Sequence, residues 1–523
     1  MPQHFQFAQT FYDAIKSGNV FLSWSANTNF GYGDIGIRFY PPLAHYCLAF
    51  TQLFTSDWQT STWLNIYFWM LLGSIGSYLY AREWLSTQNS LWVGILYAIA
   101  PYHLWQIYQF FLYSEFVGAA ILPFCFLYLT RISRNGNLKD ALKLGFVSAI
   151  LILSHIPTTI ISVACLGIYT IFIFDWKKLK NSFRKILLSS FIALGLTAFY
   201  WVRLVTELNL VNHSSPRFAS GLYGYQQYLF PMFFNNSADI YLIKQLWLKD
   251  IVSILTMLLI LPLGIHIFLK FKELKNKKEL LALFITGSFA LFMSSSLSSF
   301  FWANISFLQK IQFPFRWLSV ATILGVLGFV LFFKSLTLES FQTIKNYTLI
   351  SFFVILGLFN ITQIILPAGL LTNEDFSERI KGLRDSESFD CWWTVWSDKK
   401  AFETKEKVLA SNRTVNITRW ETEKREFEVE QGHETTARIA TFFYPHWQAT
   451  VNGKKIEVGL NKDGTISIPL PAHSSKITLE FREPFHIQLA NIFSTIVWII
   501  LLLTLFVFGI KNYRHGLKLE VIG

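Results

Sequence analysis

Long apolar runs, separated by short polar segments, occupy most of the first 366 residues of this 523-residue chain. A helix needs about 20 apolar residues to cross the hydrocarbon core of a bilayer, which is about 30 Å thick. The runs predict eleven membrane-spanning helices, at about 59–81, 89–104, 106–130, 141–155, 157–175, 186–205, 250–269, 280–298, 314–333, 347–366 and 490–511. The run LAHYCLAFTQLFT is short for a span. It predicts a shallow or re-entrant helix, or else a tilted, shortened span.

The polar region at about 367–489 has a different pattern. Its first part, which contains DCWWTVWSD, is irregular, whereas short strand-like segments follow: EFEVE, ARIATFFYP, WQATV, KKIEV, TISIPL and SKITLEF. Asn452-Gly453 and Asp463-Gly464 are dipeptides typical of hairpin turns. The region therefore predicts a small antiparallel β-sandwich at about 424–484, between the last two spans.

Composition agrees with a membrane protein, since 52% of the residues are hydrophobic and 15% are charged. The formal charge of +12 comes from short clusters rather than one basic face, so no nucleic-acid partner is predicted, and the partner is the lipid bilayer. Basic residues favour the cytoplasmic side of a membrane. Four clusters fall on one side of the predicted layout: Arg131/Arg134/Lys139, Lys177/Lys178/Lys180/Arg184/Lys185, Lys270/Lys272/Lys275/Lys277/Lys278 and Lys511/Arg514/Lys518.

This layout divides the chain into parts with a defined sidedness. It predicts an extracytoplasmic N-terminal segment at 1–58, a multi-pass bundle at 59–366 with outer loops at 206–249 and 299–313, an extracytoplasmic region at 367–489, a last span at 490–511 and a cytoplasmic tail at 512–523.

Charged residues in or beside spans are costly, so they are candidates for function. Asp34 and Arg38 lie in GYGDIGIRFYPPL of the N-terminal segment, where a local Asp–Arg pair that braces a turn is the structural alternative. Glu115 lies nine residues into its apolar run, roughly 13 Å along a helix. A carboxyl group there could act as a general base, or it could be a structural group bonded to neighbouring helices.

Three further polar residues lie at the predicted outer ends of spans. His155, in LSHIPTT, is either a ligand or a residue that caps or packs at a turn. Arg316, in QFPFRW, can bind a phosphate with two hydrogen bonds or extend to the lipid headgroups. Gln312 would line the same mouth or remain in a solvated loop. All candidates lie on the predicted outer side, which excludes cytoplasmic nucleotide sugars and ATP as substrates.

Specific motifs are otherwise lacking. The sequence contains no P-loop, HExxH, GxSxG or CxxC pair. The four cysteines form neither a disulfide framework nor a zinc motif. No metal site is therefore predicted, although a divalent metal could assist catalysis.

Several segments together resemble a known family: NFGYGDIGIRFYPPL, YSEFVGAAILP, LSHIPTT, IQFPFRW and FFYPHWQATVNGKKIEV. They are similar to bacterial 6-pyruvoyl-tetrahydropterin synthase-related membrane proteins, within the polytopic C-type glycosyltransferase superfamily. The resemblance implies a catalytic Asp after a first span, shortly before a His that corresponds to His4. The sequence begins at Met1, after that position, so we expect either an upstream start or a version without that acid. Asp34 is the acid in the matching YPPL segment.

The resulting hypothesis is a polytopic glycosyltransferase-like protein of the bacterial cytoplasmic membrane. It would transfer a sugar from a polyprenyl-phosphate donor to a glycan, lipid or protein acceptor on the outer face. Asp34 or Glu115 would be the catalytic carboxylate. The substrate-binding residues would be His4, Arg38, His155, Gln312 and Arg316. The alternative is a non-catalytic transporter or scaffold for envelope polymers, although no inverted repeat is evident.

Overall fold

The structure is a computed structural model, and it describes residues 2–19, 21–174, 179–214, 224–231, 240–274, 276–335, 339–365 and 373–520. Parts of the predicted loop 206–249, residues 367–372 and the basic residues Lys177, Lys178 and Lys275 lie outside the described residues. The chain divides into two compact units. The first comprises 59–194 and 216–372, and the second comprises 2–58, 195–215 and 373–523.

The described residues form eighteen α-helices. They are α1 (Pro2–Lys16), α2 (Leu43–Thr55), α3 (Trp58–Ala81), α4 (Thr87–Ala98), α5 (Pro101–Tyr108), α6 (Tyr113–Asn135), α7 (Leu138–Ser154), α8 (Ile156–Ile173), α9 (Leu179–Leu196), α10 (Ala198–Glu207), α11 (Ile240–Lys270), α12 (Lys277–Ser294), α13 (Ser299–Asn304), α14 (Ser306–Gln309), α15 (Leu318–Ser335), α16 (Glu339–Ile365), α17 (Asn373–Leu383) and α18 (Phe485–Glu520).

Five helical segments within the described residues are long and apolar enough to cross a membrane. They are Tyr113–Arg134, Ile156–Ile173, Leu246–Lys270, Pro314–Ser335 and Phe485–Val507. The bent pair Lys180–Leu196 and Ala198–Leu210 is a sixth if its two helices form one broken span. Each of these segments overlaps a predicted span, so a mostly helical membrane protein is confirmed in outline.

The other predicted spans are helical but depart from the prediction. The run at 89–104 is split between α4 and α5 because Pro101 has no N–H and keeps Ala100 out of the helical region, at ψ 136°. Charged residues occupy the first turns of α7 and α12, and the apolar part of α16 is limited to Leu349–Ile365. The count of eleven spans is therefore not confirmed.

Helix α15 lies at the centre of the first unit and packs closely on α11. A Cβ atom on Gly325 would lie 2.9 Å from a side-chain carbon of Ile260, and one on Gly328 would lie 2.8 Å from Leu263. Small residues at a helix interface allow two helix backbones to approach closely in a membrane protein. The two glycines thus permit a contact that larger side chains would obstruct.

An ion-pair cluster joins three helix ends of the first unit. Glu83, just after α3, pairs with Arg131 at 2.8 Å and with Arg134 at 3.0 Å, both near the end of α6. Arg134 also pairs at 3.0 Å with Glu279 in the first turn of α12. The structure therefore places Arg131 and Arg134, of one predicted basic cluster, beside the first turn of α12, which begins with Lys277 and Lys278 of another.

The second unit contains nine strands in its described residues. They are β1 (Val408–Ala410), β2 (Val415–Trp420), β3 (Lys424–Val429), β4 (Thr435–Phe442), β5 (Trp447–Val451), β6 (Lys454–Ile456), β7 (Gly459–Leu460), β8 (Thr465–Leu470) and β9 (Ser475–Phe481). One sheet has the order β1-β4-β8-β7 and the other β2-β3-β9-β5-β6, with every pair antiparallel. The antiparallel fold is confirmed, but it begins at Val408, earlier than predicted.

Alternate side chains of both sheets are buried, as a two-layer sandwich requires. Phe427 and Ile477 come from one sheet, and Ile439 and Ile468 from the other, and none of these four side chains is exposed. The predicted hairpin turns are also confirmed. Asn452 and Gly453 have φ values of 50° and 78° between β5 and β6, as a type I′ turn requires.

We expect Gly464→Ala to destabilise the protein more than Gly453→Ala. Both glycines have positive φ, 81° and 78°, so either substitution should cost about 1 kcal/mol in backbone strain. A Cβ atom on Gly464 would lie only 2.3 Å from the carbonyl oxygen of Trp396, whereas nothing lies within 4 Å of one on Gly453. The clash should add about 1–3 kcal/mol.

Thermal unfolding of the full-length protein in detergent, followed by tryptophan fluorescence, measures this difference. Equal shifts for the two variants would show that the close approach to Trp396 does not exist.

Candidate functional site

The seven candidate residues are divided between the two units. The first unit contains Glu115, His155, Gln312 and Arg316, and the second contains His4, Asp34 and Arg38.

Glu115 and Arg316 form a buried ion pair in the first unit. Glu115 lies in the first turn of α6, and Arg316 lies in the Pro314–Trp317 turn that precedes α15. The Nε atom of Arg316 donates to Oε2 of Glu115 at 3.0 Å, and the residues are 6% and 2% exposed. A buried charge requires a partner, and these two residues supply it to each other.

Two residues of α5 complete the surroundings of this carboxylate. The hydroxyl group of Tyr102 and the amide Nε2 of Gln106, the latter at 2.9 Å, both donate to Oε1 of Glu115. Residues four apart lie on one face of a helix, so α5 presents both donors together. Neither donor was predicted, because Tyr102 fell within the predicted span 89–104 and Gln106 at the start of the next one, 106–130. Pro101 was the available signal that a separate helix begins there.

Arg316 keeps hydrogen-bonding capacity beyond Glu115. Its Nη1 donates to the carbonyl of Ile311, and its guanidinium lies over the ring of Phe313, 4.6 Å from the centroid. Its Nη2 finds no acceptor among the described residues. Gln312 has a φ of 68° and turns the chain between Ile311 and Phe313. The backbone around Gln312 thus helps to hold a guanidinium that still has a donor for an anion.

His155 acts as the N-cap of α8. Its Nδ1 accepts from the backbone N–H of Thr158 at 3.3 Å and lies 2.8 Å from the hydroxyl oxygen of the same residue. Arg316 lies within electrostatic reach of the buried His155 ring. The contacts of His155 are therefore those of a capping residue, which was one of its two predicted roles, and its ring lies near the Glu115–Arg316 pair.

Arg38 is the centre of a buried network in the second unit. Its Nε and Nη2 donate to Glu207 at 2.6 and 3.0 Å, and its Nη1 and Nη2 donate to Glu483 at 2.5 and 2.6 Å. Arg203 pairs with the same Glu483 at 3.0 Å. Arg38 thus pairs with distant carboxylates rather than with Asp34, and its contacts are those of a structural residue.

Neighbouring side chains add to this network. Tyr444 donates its hydroxyl hydrogen to Glu207 at 2.7 Å, and the hydroxyl of Ser23 donates to Glu483. Burial by itself would raise the pKa of Glu483, but the hydrogen bonds and charge of Arg38 outweigh it and lower the pKa to about 2. Glu483 therefore remains ionised at neutral pH.

Asp34 is buried beside a tight turn of the second unit. Its Oδ1 accepts from the backbone N–H of Gly36 at 2.9 Å, and the residue is 1% exposed. Burial raises the pKa of its carboxyl group to about 6, although Ser388, Gly36 and Thr28 oppose the shift. A carboxyl group with a pKa near neutral suits proton transfer.

His4 joins the first two helices of the second unit. Its Nδ1 lies 2.9 Å from Nε2 of His45 in α2, and the rings stack with centroids 5.2 Å apart. The ring of Tyr40 lies nearly perpendicular to that of His4, with 5.9 Å between centroids. Within the described part of the chain, no group of three or more His, Cys, Asp or Glu side chains is arranged to hold a metal ion.

Comparisons with known proteins give the following matches. A family model described as "6-pyruvoyl-tetrahydropterin synthase related domain; membrane protein" matches residues 37–365. No curated protein sequence matches the chain. Crystal structures of ArnT from Cupriavidus metallidurans resemble it at 16% identity and a TM-score of 0.40 in the apo state, covering 73% of this chain and 70% of that one. The crystal structure of the same protein bound to undecaprenyl phosphate resembles the chain at 14% identity and a TM-score of 0.44, covering 73% of this chain and 71% of that one.

We expect Arg38→Gln to destabilise the protein by about 3–5 kcal/mol, because it leaves Glu207 and Glu483 buried without their shared cation. Arg482→Gln is the matched control. Arg482 pairs with Glu480 at 2.7 Å but is exposed, so its loss should cost less than about 1 kcal/mol. Unfolding of both full-length variants in detergent measures the difference, and similar losses would contradict the structural role of Arg38.

Asp34→Asn should stabilise the protein above pH 7. The pKa of about 6 in the folded protein exceeds the ordinary 3.8, so the folded state binds more protons between these values and stability falls as pH rises through them. Asn cannot ionise, so the variant should gain up to about 3 kcal/mol above pH 7 and lose this advantage toward pH 4.

Asp463→Asn provides the opposite case. Burial opposes ionisation of Asp463, but Thr465 and Arg438 lower its pKa overall, so its removal should destabilise the protein at neutral pH. Melting temperatures measured from pH 4 to pH 8 test both variants. An Asp34→Asn variant that is no more stable than wild type at pH 8 would contradict the buried, ionised carboxylate.

Proposed function

Because the chain belongs to the 6-pyruvoyl-tetrahydropterin synthase related membrane protein family, we propose that it transfers a sugar from a polyprenyl-phosphate donor to an envelope acceptor on the outer face of the cytoplasmic membrane. In this proposal the bundle is an inner-membrane, C-type glycosyltransferase-like fold, the β-sandwich and N-terminal segment are extracytoplasmic, and the C-terminus is cytoplasmic.

The proposal rests on the burial and hydrogen bonding of the Arg316 guanidinium. Its guanidinium is buried and oriented by Glu115 through Nε, while its Nη2 has no acceptor among the described residues. A preorganised guanidinium with an available donor suits a phosphate, because charge-assisted hydrogen bonds to phosphate are strong. His155 and Gln312 would line the same place.

In the proposed reaction, the acceptor hydroxyl oxygen attacks the anomeric carbon of the sugar. The bond from this carbon to the phosphate oxygen breaks, and the polyprenyl phosphate leaves with the bonding electrons. Arg316 would stabilise the negative charge that develops on the phosphate. The hydroxyl proton passes to a carboxylate, for which Glu115 beside Arg316 is the candidate in the first unit.

A non-catalytic transporter or scaffold for envelope polymers is the second candidate. One observation favours it: Tyr102, Gln106 and Arg316 already donate to both oxygens of Glu115. These donors occupy three of the about four acceptor positions of the carboxylate and fix its orientation, as expected of a structural group. Such a protein would still bind a lipid-linked phosphate but would transfer no sugar.

We expect Arg316→Gln to weaken binding of polyprenyl phosphate by about 10- to 100-fold, because it removes charge-assisted hydrogen bonds. Arg131→Gln is the matched control, since Arg131 also pairs with a glutamate, but in the cluster with Glu83. The measurement is binding of radiolabelled polyprenyl phosphate to the full-length protein in nanodiscs. If the wild type binds no lipid phosphate, or if both variants weaken it equally, the proposal fails.

Transfer is measured separately, as incorporation of radiolabelled sugar from a polyprenyl-phosphate sugar into envelope glycans. Loss of transfer in Glu115→Gln with lipid binding retained supports Glu115 as the base. Lipid binding without transfer in the wild type supports the transporter or scaffold.

A further inference from the structure

A groove of about 840 Å³ opens on the second unit. Its walls are formed by the hairpin that joins β2 and β3 and by separate residues of three other segments: Ser17, Asn19, Ala26, Asn27, Phe30 and Gly31 of the N-terminal segment, Asp385 and Lys407, and Glu480 and Phe481 of β9. The volume lies within the range of about 300–1,000 Å³ that small-ligand sites occupy. None of the seven candidate residues lines it.

The first wall presents an aromatic ring on a constrained turn. Phe30 is 60% exposed, yet its φ of 57° is a conformation that a bulky side chain rarely adopts. Backbone hydrogen bonds from Asn29 to Ser386 and from Phe30 to Asp385, each 2.9 Å long, hold the turn. Non-glycine residues in this conformation concentrate at ligand sites, where the surrounding structure maintains them. The turn therefore holds an exposed ring at the groove.

The opposite wall is supported from beneath by Arg425. This residue is fully buried and lies between the rings of Trp420 and Trp447, at 5.0 and 4.6 Å from their centroids. Its Nη1 donates to the carbonyls of Glu421 and Thr422 in the hairpin turn, at 3.2 and 3.4 Å. Because a buried side chain holds these two backbone carbonyls, the hairpin wall is rigid as well.

The Glu423 carboxylate ties the two walls together, because it accepts from the backbone N–H of Ser23 at 2.7 Å. A groove that is assembled before its ligand arrives loses less entropy on binding. Both walls are thus preorganised.

The charges of the lining nearly cancel. Its cationic residues are Lys407, Arg419 and Lys424, and its acidic residues are Asp385, Glu421, Glu423 and Glu480. Several of these charges have partners nearby, such as Arg419 with Glu421 at 2.6 Å. A phosphate site would need an excess of cations, and an apolar peptide would need an apolar lining. The side-chain amides of Asn19 and Asn27 add neutral donors and acceptors.

We propose that this groove binds a neutral oligosaccharide, with Phe30 as the ring against which a sugar packs. Neutral hydroxyl groups match a lining of amides and paired charges, and the apolar face of a sugar ring matches an exposed aromatic ring. The inference rests on the proposed transferase function and deepens it, because it makes the acceptor a neutral glycan that the second unit holds.

The test is binding of neutral pentasaccharides of glucose, mannose and galactose to the full-length protein in nanodiscs, without donor lipid. We expect at least one of them to bind, and Phe30→Ala to weaken that binding by about tenfold or more. Phe21→Ala is the matched control, because Phe21 is 81% exposed and does not line the groove. It should leave the affinity unchanged.

Two further variants separate a lost contact from a lost fold. Phe30→Tyr keeps the ring and should restore binding, and Asn19→Ala should weaken it without altering the strained turn. The inference is overturned if no neutral pentasaccharide binds, if a pentagalacturonate binds more tightly than every neutral one, or if Phe30→Ala and Phe21→Ala behave alike. The saccharide test contains no donor lipid, so the two proposals fail separately. Absence of lipid-phosphate binding at Arg316 would overturn the transferase proposal without affecting saccharide binding in the groove. Absence of saccharide binding would overturn the groove proposal without affecting lipid-phosphate binding.

Discussion

One buried guanidinium determines which segments of the second unit meet. Arg38 bonds to Glu207, 169 positions away in the chain, and to Glu483, 445 positions away. Removing charges from water is costly, and apolar side chains of similar volume often give equal stability. The benefit of such a network is therefore specificity, because an arrangement that separated these segments would leave charges buried without partners. Formation of the N-terminal segment, α10 and the end of the sandwich as one unit depends on this constraint.

The first unit uses the same chemistry with a different outcome. Arg38 directs four hydrogen bonds to two carboxylates, whereas Arg316 directs one to Glu115 and one to a backbone carbonyl. An arginine whose donors are satisfied by the protein stabilises the fold, and one with a remaining donor can bind an anion. This difference, rather than burial, separates the structural arginine from the proposed ligand-binding one.

Features set by local sequence could be predicted, and features set by distant pairing could not. The strands from Lys424 onward and the turn at Asn452-Gly453 follow from alternation and turn chemistry, which act over a few residues. The break at Pro101 was also a local signal, but the apolar run around it concealed it. The pairing of Glu115 with Arg316 joins residues 201 positions apart, and each residue taken alone is only a polar group in an apolar run. A single sequence contains no information on which distant partner satisfies such a group.

Residues with positive φ show where local preferences yield to tertiary structure. Asn412 and Asn452 tolerate this conformation because a short polar side chain can bond locally. Phe30, Phe111 and Gln312 do not share this property, and each lies beside a candidate site. Phe111 links α5, which supplies donors to Glu115, to α6, which carries Glu115, whereas Gln312 precedes Arg316 and Phe30 borders the groove. Unfavourable backbone conformations persist where the surrounding contacts outweigh them, and these three lie beside the two places that are proposed to bind ligands.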